Sequence, residues 1–387
     1  MECLKAALLF GADAVYCGGP LLQLRAGQTT FNEDKLREAV EYTHAHGKKL
    51  YVTVNSFAEN EEIPLVGDYA KFLYSIGVDA VIVSDIGVIA EIHEKCPALP
   101  IHVSTQANTQ NYRAVNVYKQ LGASRVVPGR EMTLAQIEEM QEKCGDTEIE
   151  VFVHGAMCMA YSGRCLLSSF LVNRSGNRGE CAQPCRWNYY LVEEKRQNMF
   201  IPVMENEKAT AILSSTDLKS IEFLDRLIAA GVASFKIEGR MKSPYYVATV
   251  VNAYRQFMDG KCTLEQADYE LDTISHRPYA SGFFFGDAKN SPNNDGLYHS
   301  THSFMGVVLD KCGEDEYTVE QRNRFYVGDE LEILSPGSIA KSFTVTSIIG
   351  EDGQSRESAY LVQEKVRIRC PEILRPGDML RRKNKAQ

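Results

Sequence analysis

Short apolar runs alternate with amphipathic stretches over the first two-thirds of the chain. Seven runs rich in β-branched residues have the length of strands and end in polar residues: DAVYCGG (13–19), KKLYVTVN (48–55), DAVIVSD (79–85), PIHVSTQAN (100–108), SRVVPGRE (124–131), EIEVFVHG (148–155) and SFKIEGR (234–240). Helical stretches lie between most of them, and two of these open with the good N-cap residues Asn32 and Thr133. The alternation predicts parallel strands, buried on both faces and joined by right-handed crossovers.

The regular alternation favours an α/β fold, and within that class a TIM-like (β/α)8 barrel over residues 1–290. Only seven strand-like runs are found, and the chain starts inside a helix-like stretch, CLKAALLFG. We therefore expect the first barrel strand to be absent from this chain. An open doubly wound sheet is the alternative, but no Gly-rich dinucleotide turn is present to favour it.

Two parts of the chain depart from this alternation. Residues 156–215 form a cysteine-rich insert that continues into a predicted hairpin between RWNYYLVEE (186–194) and KATAILSS (208–215). The polar stretch DAKNSPNNDG (287–296) is predicted to be a linker. After it, short strand-like runs predict a small all-β domain over residues 300–382. We expect the tail RRKNKAQ to fray.

Composition narrows the classes of function. The formal net charge of −9 excludes nucleic-acid binding by bulk electrostatics and leaves only a local basic patch, such as the one around Lys236, Arg240 and Lys242. No apolar run is long enough to predict a membrane-spanning helix, so no membrane partner is expected. Eleven cysteines without a secretion signal are typical of a reducing, cytoplasmic setting, where they serve as metal ligands, catalytic thiols or small buried residues.

Four cysteines are concentrated in the insert. Cys158, Cys165, Cys181 and Cys185 have the spacing C-x6-C-x15-C-x3-C, which matches neither a zinc ribbon nor a bacterial ferredoxin motif. Thiolates favour zinc or an iron–sulfur cluster over hard cations. Simple burial is the alternative reading, and the Gly-rich, irregular context of all four argues against it.

Polar residues follow most of the predicted strands. In a barrel, the carboxyl ends of the strands line the active site. The residues at these ends are Asn55, Asp85, Gln106, Asn108, Arg130, Glu131, His154, Lys236, Glu238 and Arg240. Arg130 and Arg240 can bind carboxylates bidentately, which predicts a small anionic substrate, such as a dicarboxylate. Rim ion pairs are the alternative for Glu131 and Glu238, as is a backbone hydrogen bond for His154.

Several of these motifs resemble those of the U32 peptidase-like family. The block EVFVHGAMCMAYSGRCLLS carries the resemblance, which continues through CAQPCRW, SSTDLKSI, KIEGRMKSPYYV and VGDELEILSPG. The family usually opens with a strand like ELLAPAG, which this chain lacks. Some relatives have a cysteine near Lys219, and its absence here leaves Cys185 as the fourth ligand.

The resemblance implies a particular chemistry. CAQPCRW and KIEGRMKSPYY are most similar to the tRNA-hydroxylating members, which implies a [4Fe–4S] cluster on Cys158, Cys165, Cys181 and Cys185, and prephenate-dependent formation of 5-hydroxyuridine at position 34 of tRNA. The expected catalytic residues are His154, Arg130, Lys236 and Glu238. The expected co-substrate-binding residues are Arg25, Asn55, Gln106, Asn108 and Arg240.

Two other functions stay open. A U32-type peptidase would need an activated nucleophile, and the chain has no HExxH or GxSxG motif; a Cys158–His154 pair would use a cysteine that the cluster also needs. A partner subunit without activity of its own, carrying a structural zinc or cluster, is the third possibility. Some relatives act as pairs, so a homodimer or a heterodimer with a paralogue is expected under that reading.

Overall fold

The structure, a computed structural model, describes residues 1–24, 30–157, 165–187, 190–192, 200–202, 216–286, 298–338 and 340–384. The chain divides into two compact units. The parallel-sheet unit comprises Asp13–Met241 and Arg277–Leu297, and the β-domain unit comprises Met1–Ala12, Lys242–His276 and Tyr298–Gln387. Our predicted boundaries at residues 290 and 300 stay a prediction.

In the described residues, the helices are α1 (Glu2–Leu9), α2 (Glu33–Ala45), α3 (Ile63–Ser75), α4 (Ile86–Lys95), α5 (Tyr112–Gln120), α6 (Leu134–Lys143), α7 (Leu167–Val172), α8 (Leu224–Ala229), α9 (Pro244–Met258) and α10 (Leu264–Asp272). The strands of the parallel-sheet unit are β1 (Ala14–Gly18), β2 (Lys49–Val54), β3 (Ala80–Val83), β4 (Ile101–Val103), β5 (Ala123–Val126), β6 (Glu148–Ala156), β7 (Tyr190–Val192), β8 (Phe200–Pro202), β9 (Asp217–Lys219), β10 (Ser234–Ile237) and β11 (Tyr279–Ala280). Those of the β-domain unit are β12 (His302–Lys311), β13 (Glu316–Gln321), β14 (Phe325–Tyr326), β15 (Glu330–Leu334), β16 (Lys341–Thr344), β17 (Ile348–Ile349), β18 (Ser355–Arg356), β19 (Ser358–Ala359), β20 (Lys365–Arg369) and β21 (Met379–Lys383). None of the described helices is long and apolar enough to cross a membrane.

Parallel pairing joins the seven predicted strands. β1 to β6 pair in chain order, and β10 pairs parallel to β6. Every position of β3 and all but the first of β2 are buried, as a sheet covered on both faces requires. The α/β class with parallel strands is confirmed; closure into an eight-stranded barrel, and the absence of a first strand, stay predictions.

The helix starts also agree with the sequence pattern. The Asn32 side chain accepts a hydrogen bond from the Lys35 amide at the start of α2. Thr133 and Gln136 form a reciprocal capping box at the start of α6. These local signals set where each crossover helix begins, and so how each strand connects to the next.

Two short strands at the end of β6 were not predicted. β9 runs antiparallel to the last residues of β6, and β11 pairs parallel to β9. A buried ion pair holds this corner: the Arg277 guanidinium donates to Asp217 Oδ1 from Nε at 3.1 Å and from Nη2 at 2.8 Å. Strands of two or three residues give no periodic signal in the sequence, which explains why they were missed.

The cysteine segment, residues 165–187, contains α7 followed by two single 3-10 turns, Gly176–Arg178 and Pro184–Arg186. Beyond it, β7 pairs antiparallel with β8, with Tyr190 opposite Pro202. The predicted partner of this strand, residues 208–215, lies outside the described residues, so the predicted hairpin stays a prediction. The extent of the insert, 156–215, stays a prediction.

The C-terminal region is all-β, as predicted. Its main sheet has the order β16-β15-β21-β12-β13-β20-β17-β18. Burial alternates along β13 and β20, so one face of the sheet supplies the core, which includes Tyr317, Val319, Phe325, Leu331 and Ile368. In the same unit, α1 and α10 pack against α9, which is buried along most of its length.

A fully buried arginine organises the β-domain unit. Arg381 on β21 donates from both terminal nitrogens to Glu270, at 2.7 and 2.9 Å, and from Nε to Glu332 at 2.8 Å. Burial alone would raise the pKa of the Glu332 carboxyl. The contacts with His302 and Arg381 outweigh this effect and lower the pKa to about 2. The expectation that the tail frays from residue 381 is therefore wrong for 381–383, because β21 pairs with both β12 and β15.

We expect Arg381→Met to lower the free energy of unfolding by about 3–5 kcal/mol, because it leaves the Glu270 and Glu332 carboxylates without their buried cation. Urea unfolding followed by circular dichroism measures this. The matched control is Arg382→Met on the same strand, whose partly exposed pair with Asp329 contributes about 1 kcal/mol or less. Equal losses in the two variants would contradict the role of Arg381.

Candidate active site

A polar cavity opens at the carboxyl ends of the parallel strands. It encloses about 800 Å³, including the open solvent at its mouth. All seven parallel strands, or the turns after them, contribute to its lining, through Tyr16, Thr53, Ile82, Ser104, Arg130, Phe152 and Lys236 among others. Because β1 and β10 both contribute, the sheet curves strongly around this cavity.

Most of the described candidates from the strand ends meet here. Asn55, Gln106, Arg130, Glu131, Lys236, Glu238 and Arg240 all line the cavity. Sequence reasoning missed Tyr16 and Thr53, which lie inside strands and there have the pattern of core residues. Arg25 and Cys158 lie outside the described residues.

Glu238 lies at the centre of the polar contacts. The Tyr16 hydroxyl donates to Glu238 Oε2 at 3.2 Å, the Arg240 amide donates to Oε1 at 3.2 Å, and Arg130 Nη2 lies 4.0 Å from Oε2. Gly155 makes room for this residue: its φ is +114°, and a Cβ there would lie 2.7 Å from the Glu238 carbonyl oxygen. Only glycine adopts this positive φ without strain and also leaves the space that a Cβ would fill.

The Arg130 guanidinium is held by a hydrogen bond at its edge and by an aromatic ring against its face. Its Nη1 donates to the Ala156 carbonyl at 2.7 Å, and its guanidinium carbon lies 3.6 Å from the centre of the Phe152 ring. Stacking on an aromatic ring fixes the plane of a guanidinium. A fixed cation of this kind suits the recognition of a planar carboxylate.

Arg240 follows β10 but is anchored by residues from β2 and from the turn after β1. It donates to the Thr53 hydroxyl at 3.4 Å and to the Gln23 side-chain oxygen. A Cβ on Gly18, at the end of β1, would collide with both Gln23 and Arg240. The glycine at this position therefore provides the space in which Arg240 reaches the cavity.

A buried charge cluster forms the floor of the site. Lys236 Nζ donates to Glu150 at 2.7 Å, and Arg125 Nη1 donates to the same carboxylate at 2.9 Å. Burial alone would raise the pKa of Glu150, but these two cations lower it to about 2. Burial and the neighbouring Arg125 lower the pKa of His102 to about 3, so this imidazole is neutral near pH 7. Lys236 Nζ also lies 4.5 Å from the centre of the Tyr16 ring.

Other strand-end candidates lie away from the cavity lining. His154 is fully buried and packs against Tyr279, with 5.4 Å between ring centres. Asn108 accepts a hydrogen bond from Gln110 at 2.7 Å. Asp85 caps α4 by accepting from the Gly87 and Val88 amides. Catalysis by His154 and binding by Asn108 stay predictions.

Arg178 fastens the cysteine segment beside the cavity. It donates to the Phe57 carbonyl at 3.0 Å and to Glu62 at 3.2 Å, and Phe57 follows Asn55 of the cavity lining by two residues. The hydrogen bond from the Glu59 amide lowers the pKa of Glu62, and the contact with Arg178 lowers it further. Partial burial acts in the opposite direction but is outweighed. The segment therefore contacts the same end of the sheet as the cavity.

Three of the four predicted ligands are in the described segment. Cys165 and Cys181 are free thiols, and the Gln183 amide donates to Cys181 Sγ at 3.3 Å. Cysteine sulfur is a ligand that favours zinc or an iron–sulfur cluster over hard cations. No group of three or more His, Cys, Asp and Glu side chains arranged for a metal ion is found within the described part of the chain. The donor chemistry thus fits a thiolate-bound group, whereas the described residues alone do not close a site for one.

The fold and the site define an α/β protein with a cation-lined cavity at its strand ends and a cysteine segment attached beside it. The chain belongs to peptidase family U32: the model of that family matches residues 1–294, and the model of the family's C-terminal domain matches residues 300–381.

Relatives cover nearly the whole chain. A Bacillus subtilis protein named tRNA hydroxylation protein P1 is 38% identical over 99% of this chain and 92% of its own length. An Escherichia coli protein named tRNA hydroxylation protein P is 35% identical over 92% of this chain and 88% of its own length. A Porphyromonas gingivalis protein named collagenase is 31% identical over 100% of this chain and 96% of its own length.

We expect Glu150→Gln to destabilise the protein by about 2–4 kcal/mol at pH 7, because Lys236 and Arg125 lose their shared anion. Folded Glu150 keeps its charge down to pH about 2, whereas an ordinary carboxyl titrates near 4.5. The stabilisation is therefore complete above pH 4.5 and is lost as the pH falls towards 2.

The measurement is urea unfolding of wild type and variant across this pH range. The difference between them should shrink as the pH falls. The exposed Glu142→Gln on α6 serves as the control and should change stability by less than about 0.5 kcal/mol. A wild-type-to-variant difference that stays constant with pH would count against the charge cluster.

Proposed function

We propose that this chain is a tRNA-modifying hydroxylase that acts without molecular oxygen and forms 5-hydroxyuridine at position 34. The observation that carries the proposal is the cation-lined cavity beside a cysteine segment, in a chain whose near-full-length relatives are named tRNA hydroxylation proteins. A member of the same set of relatives, from Escherichia coli, is named 23S rRNA 5-hydroxycytidine C2501 synthase and is 37% identical over 66% of this chain. That name extends the hydroxylation of pyrimidines in RNA to a second target.

We propose that the cavity binds a small anionic co-substrate and that this co-substrate is prephenate. Arg130 and Arg240 present guanidinium groups held by Phe152 and by Thr53, so two carboxylates could each meet a pre-oriented donor. Asn55 and Gln106 add neutral polar groups to the lining. Glu238 accepts from the Tyr16 hydroxyl and the Arg240 amide and lies 4.0 Å from Arg130 Nη2, where it would orient Arg130 and hold or release a proton through the Tyr16 hydroxyl.

Cys158, Cys165, Cys181 and Cys185 would hold a [4Fe–4S] cluster. When bound, it would supply one-electron redox chemistry, which none of the side chains in the cavity provides. Arg178 would keep the segment close to the strand ends through Phe57 and Glu62.

Deleting the gene should remove 5-hydroxyuridine and its derivatives from tRNA, as measured by nucleoside mass spectrometry in a strain without a paralogue. Wild type and Cys312→Ser should restore them, whereas Cys181→Ser should not, because only Cys181 is a proposed cluster ligand. Cys181 and Cys312 are both exposed, which makes them a matched pair. Iron analysis of the purified variants gives a second readout. Unchanged nucleosides in the deletion strain would refute the assignment.

We expect Arg240→Gln to raise the KM for prephenate at least about tenfold, since a charge-assisted pair to the carboxylate is lost. The KM for tRNA should stay within about twofold. Arg113→Gln, at an exposed position on α5, should leave both constants unchanged. Equal changes in both KM values would place Arg240 in the general fold of the site and not in co-substrate binding.

The second candidate is a peptidase, which the family name and the Porphyromonas gingivalis relative favour. In the described residues, His154 is fully buried against Tyr279, so a nucleophile paired with it would have to act inside the core. Hydrolysis of gelatin by the iron-free protein, abolished by Cys158→Ser, would support this candidate over the hydroxylase.

A further inference from the structure

Three large apolar side chains of the cysteine segment are exposed. Leu166 is 71% exposed, Leu171 is 42% exposed and Trp187 is 46% exposed. Trp187 is the only tryptophan of the chain, and it follows the proposed ligand Cys185 by two residues. Leaving an indole and two leucines exposed on one short segment costs hydrophobic free energy unless a partner covers them.

The segment is also basic in an otherwise acidic protein. Between residues 158 and 192 the sequence has four arginines and one glutamate, whereas the whole chain has a net charge of −9. Arg174 is exposed, and Arg178 is engaged with Phe57 and Glu62. This local reversal of sign is complementary to a polyanion and would repel a basic partner.

Arg178 places the segment at the cavity end of the sheet. It contacts the carbonyl of Phe57, two residues beyond Asn55 of the cavity lining. A polymeric substrate whose reacting base enters the cavity must leave its neighbouring nucleotides near this entrance. Trp187 belongs to the segment that Arg178 attaches to this end of the sheet.

We propose that Trp187 is the stacking platform for an unpaired nucleobase of the RNA substrate, with Arg174 contacting the adjacent phosphate. The proposal rests on the proposed RNA-modifying function and adds a binding residue to it. An indole face binds any base, because every base presents a π-surface, and a basic neighbour holds the backbone. Unpaired loops, whose bases can be splayed out, are the form of RNA that such a platform recognises.

The single tryptophan makes a direct test possible. Titrating the full-length, cluster-loaded protein with an unmodified tRNA stem–loop should quench the Trp187 fluorescence, and a fully paired duplex of the same composition should not. Trp187→Ala should weaken binding of the stem–loop, followed by fluorescence anisotropy of labelled RNA, by about tenfold, and Trp187→Phe should recover most of it. Arg174→Gln should reduce the salt dependence of binding by about one ion.

Tyr360 supplies the matched control. It is 49% exposed, and Arg324 lies over its ring at 5.7 Å, which gives the β-domain unit a similar aromatic and arginine pair. Tyr360→Ala should leave the affinity for the stem–loop unchanged. A large loss for Tyr360→Ala together with none for Trp187→Ala would overturn the proposal.

The outcomes separate this inference from the proposed function. Stem–loop quenching with no tRNA hydroxylation would keep Trp187 as an RNA-binding residue and reject the hydroxylase. Hydroxylation that proceeds with unquenched Trp187 and normal affinity in Trp187→Ala would reject the platform alone. Self-association that buries Trp187, detected by sedimentation and removed by Trp187→Ala, would also reject it, because the surface would then be a protein interface.

Discussion

One buried carboxylate constrains the parallel-sheet unit. Glu150 on β6 accepts from Arg125 on β5 and from Lys236 on β10, so three adjacent strands share a single anion. Burial alone would raise the pKa of Glu150, and these two cations keep its carboxyl ionised. Lys236 is thereby held against the Tyr16 and Phe152 rings beneath the cavity. The polar site above depends on this arrangement, because its charged residues extend from strands that the cluster keeps in register.

The sequence predicted the elements whose signals are local. The seven apolar runs and the caps at Asn32 and Thr133 depend only on neighbours a few positions away. β9, β11 and β21 depend instead on distant partners. Asp217 and Arg277 meet only once the chain has folded, and a run such as MLRRK reads as a polar tail until Glu270 and Glu332 are placed around Arg381. Pairing of this kind cannot be derived from periodicity.

Of the residues expected at the strand ends, Asn55 and Glu238 directly follow a strand and line the cavity, and Arg130 in the turn after β5 also lines it. Their roles in binding and catalysis stay predictions. The rule that strand ends carry the site could not separate cavity residues from those that serve the backbone, which is what Asp85 does at the start of α4. It also missed Tyr16, since an aromatic residue inside a strand has the pattern of a core position. Only the contact with Glu238 shows that Tyr16 belongs to the site and not simply to the core.

The β-domain unit is built from segments that are distant in sequence, which affects how the chain folds during synthesis. α1 belongs with α9, and the Arg255 side chain donates to the Gly11 carbonyl across 244 positions of sequence. During synthesis α1 therefore emerges well before α9 and has no native partner until the parallel-sheet unit up to Met241 has followed it. Contacts between residues so far apart in sequence form slowly. The apolar face of α1, with Leu4 and Leu8, must stay uncovered for that interval.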